Sequence, residues 1–172
     1  MKKTIGLLVL SLLISGCEGC SRSGRRQRSN SFENSRYSNA RTENGKTIVA
    51  MKKVNGVYEI PMEVNGSNMN FIFDTGASDI TISSLEAIFL YKQGTLSKED
   101  ILGFQEYQIA DGSISQGTVV NLRTIKIGNK TFKNIKASIV SNPEAPLLFG
   151  QSALANFGKV SIDYKRNEIT FE

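Results

Sequence analysis

The sequence predicts an all-β domain with one or two short helices, carried behind a cleavable leader and a basic stretch without periodicity. Three observations predict it: short runs in which apolar and polar residues alternate, turn dipeptides placed between those runs, and a single interval where apolar residues recur at helical spacing. With 172 residues, 40% of them apolar and 22% charged, the composition is that of a globular protein, and the length suits one domain plus an extension.

The leader comes first. Lys2 and Lys3 precede an apolar stretch, Ile5 to Ile14, that is too short to span a bilayer and of the right length for the core of a signal peptide. It ends in Ile14-Ser15-Gly16-Cys17. That sequence resembles the bacterial lipobox, in which an aliphatic residue and two small ones direct cleavage before a cysteine whose thiol takes the lipid. The resemblance implies that residues 1–16 are a lipoprotein signal peptide and that Cys17 is lipidated. The chain is then anchored on the extracytoplasmic side of the bacterial cell envelope. More than one acyl chain makes such an anchor stable. Glu18, where an aspartate would favour retention at the inner membrane, favours the outer membrane if the cell has one. Cys20 is left with no assigned role.

Residues 17–47 read as a lipidated cysteine followed by a disordered tether. Between Glu18 and Thr47 seven basic residues face three acidic ones, and Ser, Arg, Asn and Gly dominate. Such a segment buries too little apolar area to offset the entropy of ordering it. From Ile48 to Glu172 there are 12 basic and 13 acidic residues, so the formal charge of +5 belongs to the leader and tether. A flexible basic tail attracts anionic lipid without specificity, and no specific nucleic-acid partner is expected.

Residues 48–172 carry the folded domain. Ile60, Met62 and Val64 alternate, Asn65-Gly66 supplies a hairpin turn, and Met69, Phe71 and Phe73 alternate in return. Ile125 and Ile127 lead into Gly128-Asn129, followed by Phe132, Ile135, Ala137 and Ile139. Near the end Val160, Ile162 and Tyr164 alternate, the chain turns over Lys165 to Glu168, and Ile169 and Phe171 return. Leu85, Ile88 and Phe89 share a helical face, and Ser97 suits the N-cap of a second helix over Lys98 to Leu102, with Asp100 at its third position. A hairpin leading to an apolar run that ends in glycine occurs twice, in Met62 to Gly76 and in Ile125 to Gly150, which suggests two similar halves about a pseudo-twofold axis.

The chain has no histidine, which removes Ser-His and Cys-His catalysis and most zinc sites. Acid–base chemistry must run on carboxylates, lysine or tyrosine. The sharpest feature is Phe71-Ile72-Phe73-Asp74-Thr75-Gly76-Ala77-Ser78. A carboxylate placed after three bulky apolar residues is costly to bury unless something compensates it. Gly76 lets the backbone turn and bring its amide towards that carboxylate. A bare Asp-x-Gly at a strand end is a common turn; Thr75, the Ala77-Ser78 sequel and the apolar lead set this one apart.

Phe73-Asp74-Thr75-Gly76-Ala77-Ser78 resembles the active-site motif of aspartic proteases. Pro146-Leu147-Leu148-Phe149-Gly150 resembles their second signature, the strand that crosses behind the active-site loop. Ala110-Asp111-Gly112-Ser113, flanked by Tyr107, Ile109, Ile114 and Val119, resembles the flap that closes over substrate. Their order is similar to that of bacterial single-lobed, retropepsin-like (clan AA) proteases over Val57 to Glu172. The resemblance implies a single-lobed acid-protease barrel that needs no cofactor and no metal and takes an extended peptide or protein substrate. It makes Asp74 the catalytic residue, with Thr75, Gly76, Ala77 and Ser78 supporting the loop.

Only one Asp-Thr-Gly is present: Asp111-Gly112 lacks the hydroxyl residue, and Asp163 lacks the glycine. The second carboxylate must then come from another copy through a twofold axis, making a homodimer. Thr75 would bond across that axis, and Ala77, unable to hydrogen-bond the carboxylate, implies a pH optimum less acidic than that of pepsin-like enzymes. Ile169 and Phe171 suit either the dimer interface or the subunit core. Two features depart from the family pattern, a longer interval from Leu85 to Gln108 and the bulky Phe149. Two other functions compete: a catalytically silent envelope lipoprotein of the same fold that binds peptides, and a structural β-barrel lipoprotein with an accidental motif.

Overall fold

A strand whose side chains alternate between apolar and polar must show one face to a core and the other to water. The computed structural model, which describes residues 40–109 and 111–172, carries this through strand by strand. The signal peptide, Cys17, most of the expected tether and Ala110 lie outside the described residues. The strands are β1 (Ala40–Glu43), β2 (Lys46–Ala50), β3 (Lys52–Val54), β4 (Val57–Val64), β5 (Ser67–Phe73), β6 (Ile80–Ser83), β7 (Ile101–Gln108), β8 (Ile114–Ile127), β9 (Lys130–Val140), β10 (Leu148–Phe149), β11 (Val160–Asp163) and β12 (Glu168–Phe171). Among the described residues, two helices, α1 (Ser84–Lys92) and α2 (Gln151–Leu154), and two single 3-10 turns complete the fold.

The larger sheet has the order β3-β4-β5-β10-β6-β9-β8-β7, and β4 also pairs with β8. Strands β4, β5, β10, β6, β9 and β8 therefore form a closed ring, which leaves no open edge among them. Ile60, Met62 and Val64 of β4, Met69 and Phe71 of β5, Ile80 and Ile82 of β6 and Leu122, Ile125 and Ile127 of β8 are buried within it. Asn65 holds the closure. Its amide donates to the Thr124 carbonyl at 2.9 Å, its side-chain oxygen accepts from the Thr124 amide at 2.9 Å, and its side-chain nitrogen donates to the Thr95 carbonyl at 2.9 Å.

The tether does not run to residue 47. β1 and β2 form a hairpin in register from Ala40↔Val49 to Glu43↔Lys46, and Thr47, Ile48 and Val49 are buried. The turn is Asn44-Gly45, with φ of 50° and 78°; Asn65-Gly66, read as a turn from the sequence, has 49° and 87°. Two positive φ values in succession make the tight turn that matches strand twist, and Asn-Gly adopts it at least cost. β2 continues into a four-stranded sheet of order β1-β2-β12-β11. Arg41 of β1 reaches across it to grip both carboxylate oxygens of Glu168, at 2.6 and 2.9 Å.

That small sheet settles the place of Ile169 and Phe171. Both are fully buried within one chain, because β12 is flanked by β2 on one side and β11 on the other. They are core residues, not surfaces waiting for a partner. Phe157, in the 3-10 turn Ala155–Phe157, stacks on Phe171 and Phe132 with ring centroids 4.4 Å away in each case, and meets Phe149 edge-on at 6.0 Å. The bulk of Phe149 is thus absorbed by an aromatic cluster joining the two sheets.

The interval from Leu85 to Gln108 does hold added helix, but the helical reading needs two corrections. α1 is capped by Ser83, which accepts from the Leu85 and Glu86 amides, yet it buries Ala87 and Leu90 and leaves Leu85, Ile88 and Phe89 58%, 51% and 47% exposed. β6 runs directly into the helix with no loop between them, so the strand's register sets the helix rotation and overrides apolar spacing. The second helix is only the 3-10 turn Lys98–Asp100. The Asp100 carboxylate accepts from the Ser97 amide at 2.8 Å, and Ile101 leaves the turn in extended conformation to begin β7. No helix among the described residues is long and apolar enough to cross a membrane.

Candidate active site

β5 ends at Phe73 and delivers Asp74 at one end of the barrel. Its neighbour there is β10, parallel to it with Leu148↔Ile72 and Phe149↔Phe73 in register. The Ile72 amide donates to the Leu147 carbonyl at 2.8 Å, and the Asp74 amide to the Phe149 carbonyl at 3.3 Å. The chain then coils around the carboxylate. The Gly76 amide donates to Asp74 Oδ1 at 2.9 Å, and a side chain at Gly76 would place its Cβ 3.2 Å from the same oxygen. A glycine permits this close amide approach.

The loop is gripped from behind by the second signature. A Cβ on Gly150 would lie 2.3 Å from the Asp79 carbonyl oxygen and 2.6 Å from that of Ala77, so only a glycine lets the two backbones meet. Beyond it the Gln151 amide donates to the Ala77 carbonyl at 2.9 Å and the Ser152 amide to the Ser78 carbonyl at 2.8 Å. The Gln151 side chain reaches the Thr75 carbonyl at 2.8 Å. The first turn of α2 thus presents donors to three carbonyls of the active loop, those of Thr75, Ala77 and Ser78. Nothing in the sequence marked Gln151 except its place after Gly150.

Over the loop hangs the β7–β8 hairpin. Its tip turns through Gly112 (φ 86°), with the Gly112 amide bonded to the Ile109 carbonyl at 2.8 Å and the Ile109 amide to the Ser113 carbonyl at 2.9 Å. Between hairpin and loop lies a cleft of about 220 Å³ lined by Gly76, Ala77, Ser78, Asp79, Thr81, Tyr107, Gln108, Ile109, Ser115, Ser138, Val140 and Leu148. Tyr107 crosses from the hairpin to hydrogen-bond the buried Ser138 of β9, and the missing side chain at Gly117 makes room for its ring. Ser138, Thr81 and Asp79 were not singled out by sequence; a polar residue inside an apolar strand is the one signal that marks Ser138.

The structure sorts the expected site residues into three groups. Gly76, Ala77, Ser78 and Leu148 line the cleft, and partly exposed Asp74 opens the loop beside it. Phe149 and Gly150 act from behind, Phe149 in the core and Gly150 against the loop, while Leu147 borders a separate groove between α1 and β5. Asp111, Gly112 and Ser113 form the exposed flap tip, and Ala110 is outside the described residues.

Two other acids considered from the sequence, Asp111 and Asp163, are already engaged. Hydrogen bonds from Ser113, its side chain first and its amide next, hold the Asp111 carboxyl below the ordinary carboxylate range. Asp163 is held low chiefly by the Arg166 amide and guanidinium, with the Lys165 amide helping, as the cap of the β11–β12 turn. Neither is hydrogen-bonded to Asp74. No group of three or more His, Cys, Asp or Glu among the described residues is arranged to hold a metal.

This geometry has counterparts among known proteins. The sequence model of the family described as gag-polyprotein putative aspartyl protease matches residues 60–156, from the first hairpin to the end of the turn behind the active loop. A solved structure, a retropepsin-like aspartic protease from Rickettsia conorii, is similar at a TM-score of 0.53 and 26% identity, covering 77% of this chain and 93% of that one. No curated protein matches the sequence. The matched segment spans more than half of the chain and includes the Asp74 loop, the flap hairpin and the Gly150 crossing, so this chain belongs to the gag-polyprotein putative aspartyl protease family and has the retropepsin-like single-lobed fold.

Proposed function

We propose that this chain is an aspartic endopeptidase that works as a homodimer, each copy supplying Asp74, and that lipid on Cys17 holds it to the bacterial envelope, on the outer membrane where there is one. The observation that carries the enzymatic reading is the Asp74 loop. It is braced by Gly76 in front and by Gly150 and Gln151 behind, beside a cleft roofed by the β7–β8 hairpin rather than by core. Rigid support of a reacting group within a fraction of an ångström is what catalysis asks of a scaffold.

One such loop is half of a site. Two Asp74 carboxylates brought to about 3 Å cannot both ionise, so they share one proton over a range of pH. The ionised carboxylate takes a proton from a water between them, and the water oxygen bonds to the scissile carbonyl carbon. The protonated carboxylate gives its proton to the carbonyl oxygen. Collapse of the resulting diol breaks the carbon–nitrogen bond while the leaving amine takes up a proton, and no covalent enzyme intermediate forms. Thr75, exposed at the turn of the loop, would bond to its twofold mate across the axis.

The test is a peptide-library digest by wild type and Asp74→Asn over roughly pH 3 to 8, a change that keeps shape and removes the acid–base couple. The expected result is a loss of at least about a thousandfold in kcat/KM, the upper range for acid–base catalysis. Equal cleavage by the two proteins would remove the enzyme reading; peptide binding without cleavage by either would favour the silent binding module.

A further inference from the structure

We infer that the cleft selects a basic side chain, lysine or arginine, in its substrate, and that Asp79 is the residue that receives it; the inference deepens the protease reading and rests on it. Two independent observations lead there, one inside the cleft and one around it.

Inside, Asp79 is the single charged side chain among the described residues that line the cleft. No hydrogen bond or ion pair reaches its carboxylate from any described residue, whereas Asp74, Asp100, Asp111 and Asp163 each accept at least one bond. The residue is half-buried, and its own carbonyl is pinned against Gly150, so the carboxylate is carried on a fixed piece of backbone. A part-buried anion with no partner is an arrangement that a bound cation improves. The volume of about 220 Å³ lies below that of sites for whole small-molecule ligands, and suits one large side chain. Its walls fit a basic one: Ile109, Val140 and Leu148 offer apolar surface for a methylene stem, and Asp79 receives the charged head.

Around the cleft, the active loop and the flap hairpin carry charge of one sign, and the nearby base is Lys136 of β9, two residues before Ser138, which makes no ion pair with Asp79 among the described residues. From Asp74 to Tyr91, and again from Ile101 to Leu122, the chain has no lysine or arginine. The active loop and flap hairpin instead carry Asp74, Asp79, Glu106 and Asp111. A surface lined by one sign draws in ligands of the other and repels its own. Acidic side chains would meet this cleft at a disadvantage before any contact forms.

The experiment uses full-length protein and a neutral peptide series in which one residue at a time is arginine, norleucine or glutamate. Binding is measured on Asp74→Asn and cleavage on wild type. At one position arginine is expected to outrank norleucine by roughly tenfold, the scale of one hydrogen bond to a charged group, with glutamate weakest. Adding Asp79→Asn should bring the arginine-to-norleucine ratio close to one, and Asp79→Lys should turn the preference towards glutamate. The preference should also weaken as salt rises. No arginine preference at any scanned position, or one that survives Asp79→Asn unchanged, would overturn the inference. Should wild type cleave no faster than Asp74→Asn, the protease reading fails, yet the binding ranks still decide whether Asp79 receives a cation.

Discussion

Replacing Gly150 by alanine tests whether the second signature exists to let two backbones touch. The perturbation is purely steric, since Gly150 has φ −96° and ψ −173°, a conformation that alanine adopts freely. The added methyl would begin 2.3 Å from the Asp79 carbonyl oxygen and 2.6 Å from that of Ala77. Ordinary carbon–oxygen contacts are about 3.3 Å or longer, so the active loop must retreat by about 1 Å. That displacement stretches the Gln151–Ala77 and Ser152–Ser78 bonds, now 2.9 and 2.8 Å, beyond hydrogen-bonding range. Overpacking of this kind costs about 1–3 kcal/mol, and each lost bond about 1 kcal/mol. A net loss of about 3 kcal/mol lowers Tm by roughly 10 °C in a domain of this size. Misplacing a reacting group by about 1 Å is also worth about a hundredfold in rate. Thermal melts at matched concentration and peptide hydrolysis by full-length protein supply the two readouts. Gly112→Ala is the control: its φ of 86° strains an alanine, but nothing lies within 4 Å, so only roughly 1–2 kcal/mol is at stake. A Gly150→Ala protein that melts within about 2 °C of wild type, or one that keeps full activity, would refute the steric argument.

The root of the flap offers a pH test. Arg123, bonded to Asp100 at 2.6 and 3.0 Å, is the main cause holding that carboxyl below its ordinary range. The folded state therefore binds the Asp100 proton less readily than the unfolded chain does. The stabilisation is complete above the unfolded value near 3.9 and is lost as pH falls through the folded one. Asp100→Asn should cost about 1–2 kcal/mol in urea melts at neutral pH and progressively less below about pH 4, and a cost that does not change with pH counts against the ion pair. The proposed dimer has its own signature: specific activity of soluble protein should fall on dilution, and strict proportionality from nanomolar to micromolar enzyme would argue against a weakly paired site.

The sequence carried most where one physical requirement dominated. β4, β5, β8 and β9 each bury one face in the barrel, so the alternation at Ile60, Met62, Val64, Met69 and Phe71 was readable directly. Asp74 and Gly76 were legible because the amide-to-carboxylate contact is local, two residues apart. What was hidden depends on distant partners. Asn44-Gly45 is the same turn signal as Asn65-Gly66, but it lies in a polar, arginine-containing stretch, and only pairing of β2 with β12 explains its order. The exposed faces of Leu85, Ile88 and Phe89 follow from the strand that feeds α1, which spacing within the helix does not report. Asp79 and Ser138 enter the cleft because β6 and β9 pair in parallel through Thr81↔Ser138, a contact between residues far apart in the chain.

The completed terminal sheet changes what pairing must accomplish. If β12 lacked a neighbour, a second copy would be needed to cover it, and folding and dimerisation would be one event. Here β2 and β11 already flank it, and Ile169 and Phe171 are buried before any partner arrives. One chain thus has its own closed barrel and its own core, and under the proposed function it would lack only a second carboxylate. If the proposed homodimer forms, its pairing can be weak without endangering the fold. Such a dimer dissociates to folded monomers, so dilution should remove activity while far-UV circular dichroism stays unchanged. Tethering by lipid to a common surface would then act on function directly, by raising the effective concentration of half-sites that are already folded.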